Sequence, residues 1–320
     1  QAVAFERLLA SGDVFAARLL GSFEEEGGDE EQLVHIATDG ETYGHHHRFG
    51  EMALAYALDR IETHPVELIN YAAFLAKHPP QHEARIVERS SWSCAHGVRR
   101  WSDDCGCRTR GDRNQAWRGP LRRALDDLRD RIDVAYEDAA GALVHDVWRM
   151  RDDYVEVMSD RSEAVRTSFV ARHAKHERVD AARVIDLCEL QRFRLAMFTS
   201  CGWFFDDVSG HATIQILKYA MRAIELASIA TGVSLRARFL GDLEQARAAG
   251  EGEMSARDVI EKLVLPAQAD ALRIAAAHAI LAAFGRPSLP IPAYTVEEHE
   301  VRRAKVAGAR VAVGRVSIGS

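Results

Sequence analysis

The sequence predicts a mainly α protein with an α/β part at its N-terminal end and a few β-strands at its C-terminal end. Three observations predict it. From Asn114 to about Phe284 apolar residues recur at spacings of three and four, as in Leu121, Leu125, Leu128 and Ile132. Two short apolar runs, one centred on Val34 and one on Ile86, interrupt the helical segments of the first ninety residues. Beyond Pro287, Pro290 and Pro292, the residues Val301, Val306, Val311, Val313, Val316 and Ile318 suggest short strands.

In chain order, residues 2–25 read as a helix, with Phe5, Leu8, Leu9, Phe15, Leu19 and Leu20 at helical spacing and Gly27-Gly28-Asp29 ending it. Residues 33–38 form an apolar run bounded by acidic and glycine-rich segments, which suits a strand buried on both faces. A helix over 49–62 follows, with Met52, Leu54, Ala55, Ala57 and Leu58 facing inward. Pro65 and the pair Pro79-Pro80 punctuate the next turns, and residues 85–88 are a second strand candidate. Residues 89–113 hold three of the five cysteines and two of the five tryptophans, the composition of a long ordered loop with a task. Helices are expected over 163–174, 181–205, 213–230, 235–248 and 256–265, together forming a bundle. The apolar stretch from Ile274 to Phe284, with His278 inside it, reads as a buried helix.

Composition narrows the function classes. The 320 residues suffice for about two domains. A formal charge of −7 gives no basic footprint for nucleic acid. No apolar run approaches the ~20 residues that span a bilayer, so no membrane partner is expected. Five cysteines, an odd and sparse set, point to a reducing compartment and a cytoplasmic protein. No signal peptide is expected ahead of the amphipathic start. The absence of an initial Met and the strand-like end suggest that both termini are cut from something longer.

The first candidate site is Thr38-Asp39-Gly40-Glu41-Thr42-Tyr43-Gly44-His45-His46-His47. Chemistry in a barrel of parallel strands sits at the C-terminal strand ends, and a carboxylate there projects from a rigid support. Asp39 and Glu41, two apart, share a face if the extended geometry continues. Paired carboxylates suit general acid work, whereas Asp-Gly taken alone is a common turn pair. His45 and His46 suit contacts to sugar hydroxyls, a solvated loop, or metal ligation with Asp39 and Glu41, in that order.

The second is the run from Trp92 through Cys94, His96 and Gly97 to Trp101, Asp103, Cys105 and Cys107. Trp92 and Trp101 can form a platform for a sugar ring, with His96 and Asp103 bonding its hydroxyls. Cys94, His96, Cys105 and Cys107 can instead form a zinc site, although Cys-x-His and Cys-x-Cys are tighter than the usual gaps. Plain packing of thiols and indoles is the third reading.

The third is Ser200-Cys201-Gly202-Trp203-Phe204-Phe205-Asp206-Asp207, where an aromatic helix end either packs in a core or offers Trp203 to a sugar.

These runs resemble family 57 glycoside hydrolases. Asp39, Glu41, Tyr43, Gly44 and His45 match that family's Asp-x-Glu-x-Phe/Tyr-Gly region, usually followed by His. The Ser-Trp-Ser-Cys-x-His-Gly and Asp-Cys-Gly-Cys segments resemble a bacterial branch whose barrel is followed by a helical domain of unassigned function. Ser200 and Trp203 match a helix end of the form Ser-x-Asp-Trp, with Gly202 in place of the Asp. The resemblance implies the C-terminal portion of an incomplete (β/α) barrel over 1–90, the Cys/Trp-rich loop over 91–113, a helical bundle over 114–286 and the start of a β segment over 287–320. It implies a retaining enzyme acting on an α-glucan or oligosaccharide, with Asp39 as general acid/base and its nucleophile Glu outside this chain. Glu41, His45, His46, Trp92, His96, Trp101, Trp203 and Asp206 are then the substrate contacts, Trp203 stacking on a sugar in a cleft between barrel and bundle. No cofactor and no catalytic metal are expected. The competing expectations are a non-catalytic glucan-binding protein and a zinc-stabilised structural module.

Overall fold

The computed structural model describes residues 2–24, 31–91, 93–108, 114–247, 254–286 and 294–319. The chain divides into two compact units, Gln1–Ile86 and Val87–Ser320.

The described residues of the first unit form four α-helices: α1 (Ala2–Phe5), α2 (Gly12–Leu20), α3 (Gly50–Glu62) and α4 (Tyr71–Lys77). The helix expected over 2–25 is broken. Ser11 caps α2 by accepting from the Val14 N–H. Arg7 is left-handed, with φ 56°. A serine in extended backbone satisfies the free N–H groups of a new helix and so stops the old one. α2 packs on α3, and Leu8, Leu9, Phe15, Ala57 and Ile61 close a small core. The inward face of α3 is Leu54, Ala57 and Ile61, a three-four spacing; Met52, Ala55 and Leu58, expected inside, are exposed.

Neither strand expected in the first ninety residues forms. Residues 33–38 alternate exposed and half-buried, with Ile36 packed on the core, but they join no ladder. Residues 85–88 are exposed. An extended segment becomes a strand only by exchanging backbone hydrogen bonds with a neighbour, and the described residues of this unit offer none. The described residues contain no barrel.

The second unit is helical. It holds α5 (Arg118–Gly141), α6 (Val147–Asp153), α7 (Val155–Ser159), α8 (Glu163–His173), α9 (Ala181–Ala196), α10 (His211–Thr231), α11 (Arg236–Asp242), α12 (Ala256–Val259) and α13 (Ala271–Ala283). Leu121, Leu125, Leu128 and Ile132 of α5 meet Leu187 and Leu190 of α9 and Leu217 of α10 in one buried cluster. Asp146, Ser162, Asp180 and Ser255 cap the helices that follow them through their side-chain oxygens. Arg194 of α9 pairs with Asp133 of α5, and Arg238 of α11 holds Asp127 of α5 at 3.0 and 3.1 Å.

α9 stops at Ala196, well short of Phe205, and a 3-10 turn over Ser200–Trp203 follows. Side chains take up the carbonyls of this turn. The Trp101 indole donates to the Ser200 carbonyl at 2.9 Å, and the Thr213 hydroxyl to that of Gly202 at 2.7 Å. α12 runs into a π-helical turn over Ile260–Val264. α13 buries only Ile274, His278 and Ala282, a stripe of spacing four, and exposes Leu272 and Ile280. The C-terminal strands form as predicted. β1 (Thr295–Val306) and β2 (Ala309–Gly319) pair as an antiparallel hairpin. Among the described residues no helix is long and apolar enough to cross a membrane.

Because Leu125 is fully buried at the centre of the bundle, Leu125→Ala is expected to lower unfolding stability by roughly 2–5 kcal/mol. Val134 lies on the same helix but is 61% exposed, and Val134→Ala is expected to change stability by at most about 0.5 kcal/mol. Denaturant midpoints of the two variants check both values. Equal midpoints would rule out this orientation of α5.

Candidate functional site

In the first unit the motif loop is tied to itself through its backbone. Asp39 ends the extended segment, and a 3-10 turn over Gly40–Thr42 begins at once. The alternation that would put Asp39 and Glu41 on one strand face therefore stops at Asp39. The His45 and His46 N–H groups both donate to the Glu41 carbonyl, at 3.2 and 2.9 Å, and the Gly44 N–H donates to the His47 carbonyl at 3.1 Å. Gly44 has φ +105°, a conformation that only glycine takes without strain. A Cβ on Gly50 would meet Leu9 at 3.1 Å and the Thr42 carbonyl at 3.3 Å, so the loop sits hard against α3.

This backbone knot buries Thr42 and leaves Asp39, Glu41, His45 and His46 exposed. His47 is pinned, its Nε2 3.0 Å from the Ala4 carbonyl oxygen. The rings of His45 and His46 meet edge to face, 5.1 Å between centroids. Among the described residues, Asp39, Glu41 and the histidines do not converge closely enough to hold a metal ion.

In the second unit the cysteine loop does converge. Cys94 Sγ lies 3.8 Å from Cys105 Sγ, 3.9 Å from Cys107 Sγ and 3.8 Å from His96 Nδ1. Cys107 Sγ lies 3.5 Å from His96 Nδ1. All four ligand atoms are within 4.8 Å of one another. Two glycines shape the loop, one just after His96 and one between Cys105 and Cys107. Gly97 follows His96 with φ +70°, and a Cβ there would strike the Arg89 carbonyl at 2.4 Å. Gly106, between Cys105 and Cys107, has φ +78°, which turns both thiols toward the same point. The Asp104 carboxylate locks this turn, accepting from the Gly106 N–H at 2.9 Å and the Gln115 N–H at 3.0 Å. Burial works against that carboxylate, but the two N–H groups and the charges of Arg108 and Arg118 outweigh it and hold its pKa below the usual range. Burial likewise opposes ionisation of Cys94; hydrogen bonds from the His96 backbone and side chain and from the other two thiols bring it down to about 6.

The loop docks on the corner after α9 through two buried arginines. Arg100, 7% exposed, donates to the Phe204 carbonyl at 2.8 Å and the Ser93 carbonyl at 3.2 Å, with its guanidinium 4.5 Å from the centre of the Phe204 ring. Arg118, fully buried at the start of α5, donates to the carbonyls of Phe204 and Phe205, each at 3.2 Å, and points Nη1 at Cys105 Sγ, 3.9 Å away.

Trp203 lies at this corner, 1% exposed and stacked on Phe198 at an interplanar angle of 6°. It occupies the packing role that the sequence set against sugar stacking. Asp206 is also buried, accepting from the Gln115 amide at 2.7 Å, while its backbone carbonyl accepts from the Trp117 indole. Trp101 is half-buried over the same turn. Trp92 lies outside the described residues. The structure thus gathers His96, Trp101, Trp203 and Asp206 around one corner of the second unit. Gln115, Arg100 and Arg118 complete that corner and were not singled out in the sequence. An arginine at the head of a helix carries no local signal of burial.

Fold and site define the second unit as a helical domain with a Cys/His-rich loop fastened to its bundle. Residues 113–320 match the family model described as "Domain of unknown function (DUF3536)", and the chain belongs to that family. Comparison with curated proteins finds no match, and comparison with solved structures finds none.

The glycine in the Ser-x-Asp-Trp position has a packing cause. A Cβ on Gly202 would meet three atoms of the Ile216 side chain at 2.5–2.9 Å. Gly202→Asp is therefore expected to lower the thermal midpoint by several degrees, as overpacking of about 1–3 kcal/mol does. A thermal melt with an unchanged midpoint would remove this explanation.

Proposed function

We propose that this chain is part of an α-glucan-active retaining glycoside hydrolase or glucanotransferase in which Asp39 is the general acid/base. The reading rests on the run Asp39-x-Glu41-x-Tyr43-Gly44-His45 and on what the loop does with it. Four polar side chains, Asp39, Glu41, His45 and His46, are exposed on a loop whose backbone is fixed by its own hydrogen bonds. A fixed loop with free polar groups offers hydrogen-bond partners to a polyhydroxylated ligand at little ordering cost. The family match over 113–320 also supports it, since the resemblance expects a helical domain of unassigned function after the catalytic part.

In this reaction Asp39 donates a proton to the departing glycosidic oxygen and then takes one from the incoming water or sugar hydroxyl. Glu41, His45 and His46 bond sugar hydroxyls beside it. The reading assigns no nucleophile within these 320 residues.

Asp39→Asn in the full-length protein is expected to reduce turnover of an α-glucan by roughly 10²–10⁴-fold, the usual contribution of a general acid/base. Release of new reducing ends and transfer between chains measure it. Near-wild-type rates in the variant would overturn the role of Asp39. A full-length protein that binds glucan without converting it would replace the enzyme with a glucan-binding protein.

A further inference from the structure

We infer that Cys94, His96, Cys105 and Cys107 bind one zinc ion as a closed, structural Cys₃His centre that ties the two ends of the loop over residues 94–107 to one another. Zinc–sulfur bonds of about 2.3 Å at tetrahedral angles put two sulfurs about 3.8 Å apart, and a zinc–nitrogen bond of about 2.0–2.1 Å puts sulfur and nitrogen about 3.6 Å apart. Two of the three sulfur pairs are 3.8 and 3.9 Å apart, two of the three sulfur–nitrogen pairs are 3.8 and 3.5 Å apart, and all four atoms lie within 4.8 Å of one another. A disulfide requires a sulfur separation of about 2.05 Å and joins only two of the four groups.

Ligand type selects the ion. Three thiolates and one imidazole in a tetrahedron suit zinc, whereas calcium and magnesium require oxygen ligands. His96 ligates through Nδ1, the nitrogen that faces Cys94 and Cys107. Four protein ligands leave no open position for water, which makes the centre structural and not catalytic.

Charge points the same way. A divalent ion with three thiolates and a neutral imidazole carries one net negative charge. The fully buried guanidinium of Arg118 directs Nη1 at Cys105 Sγ. A buried cation needs anions beside it; Asp206 and Asp104 act on this one, and a metal-bound thiolate at Cys105 adds a third. The loop also needs the ion. Its regular structure among the described residues is one 3-10 turn, Arg99–Trp101. Ordering so long a segment costs about 1–2 kcal/mol per residue in backbone entropy, and metal binding supplies folding free energy.

The test uses the full chain, purified in reducing buffer from zinc-supplemented cells. Metal analysis is expected to find one zinc per chain that survives dialysis and leaves when a mercurial titrates the thiols. X-ray absorption at the zinc edge is expected to show three sulfurs and one nitrogen. Cys107→Ser, which alters the most accessible of the three thiols, is expected to lose the zinc, keep its helical circular dichroism and melt at a lower temperature. A metal-free folded protein, disulfides among these cysteines, iron in place of zinc, or a sphere of nitrogen and oxygen only would each overturn the assignment. Zinc fully retained in Cys107→Ser would do the same, because it would remove Cys107 from the ligand set. The measurements on the unaltered protein decide the matter even if the variant fails to fold.

Discussion

Two guanidinium groups buried side by side set the geometry of the second unit. Arg100 and Arg118 both donate to the Phe204 carbonyl, from the cysteine loop and from the head of α5 respectively. Burial lowers the pKa of Arg118, the nearby Arg100 adds to that, and Cys105, Asp206 and Asp104 pull the other way. A charge taken out of water has to be compensated where it sits, because its desolvation cost exceeds what distant partners return. The Phe204 carbonyl must therefore be held within reach of both arginines, and the Cys105 sulfur and the two carboxylates within reach of Arg118. The loop, the turn and the start of α5 come together because none of them alone can satisfy a guanidinium.

That requirement explains why two segments a hundred residues apart both stand out in the sequence. The Cys/Trp run near 88–107 and the aromatic corner near 200–207 are two halves of one contact. Trp101 donates to Ser200, Gln115 to Asp206 and Trp117 to the Asp206 carbonyl. Each bond ties a residue at or before the head of α5 to the corner that follows α9. Trp203 is spent on this packing, and its neighbour Gly202 has no side chain because Ile216 already fills the space. Burial and these bonds account for Trp203 and Asp206. The network is not closed: Arg100 Nε, Gln115 Oε1, Arg118 Nε and Trp203 Nε1 are buried without a hydrogen-bond partner among the described residues.

The helices of the second unit were legible because their signal is local. Leu121, Leu125, Leu128 and Ile132 state their own period, and each lies in the core. The C-terminal hairpin was legible for the same reason. What failed depended on partners or turns that periodicity does not encode. The run at 33–38 has the composition of a buried strand, but a strand exists only with a neighbour, and an apolar run does not say whether one is present. The early helix was broken by Ser11, a capping signal that the apolar spacing around it concealed. The convergence of the cysteine loop was open in the sequence, where the ligand gaps are tighter than usual; Gly106, with positive φ, lets the one-residue gap between Cys105 and Cys107 bring both thiols to one point. Arg100 and Arg118 were invisible, because an arginine in sequence reads as surface.

The residues that stand out in this sequence divide into two physical kinds, and the division separates the two functional readings. Those of the second unit are buried: Cys94, Cys105, Trp203 and Asp206 are covered, the two thiols face each other and Asp206 accepts from Gln115. Groups so committed hold structure. Those of the first unit are the reverse. Asp39, Glu41, His45 and His46 are exposed on a loop held by backbone hydrogen bonds from residues 42–47, so packing does not account for their identity. Rigid backbone beneath free polar groups is what a binding or catalytic loop requires, since the ordering cost is met before the ligand arrives. The chemistry assigned to Asp39 and the metal assigned to the cysteines thus rest on different residues and opposite kinds of burial, and each stands or falls without the other.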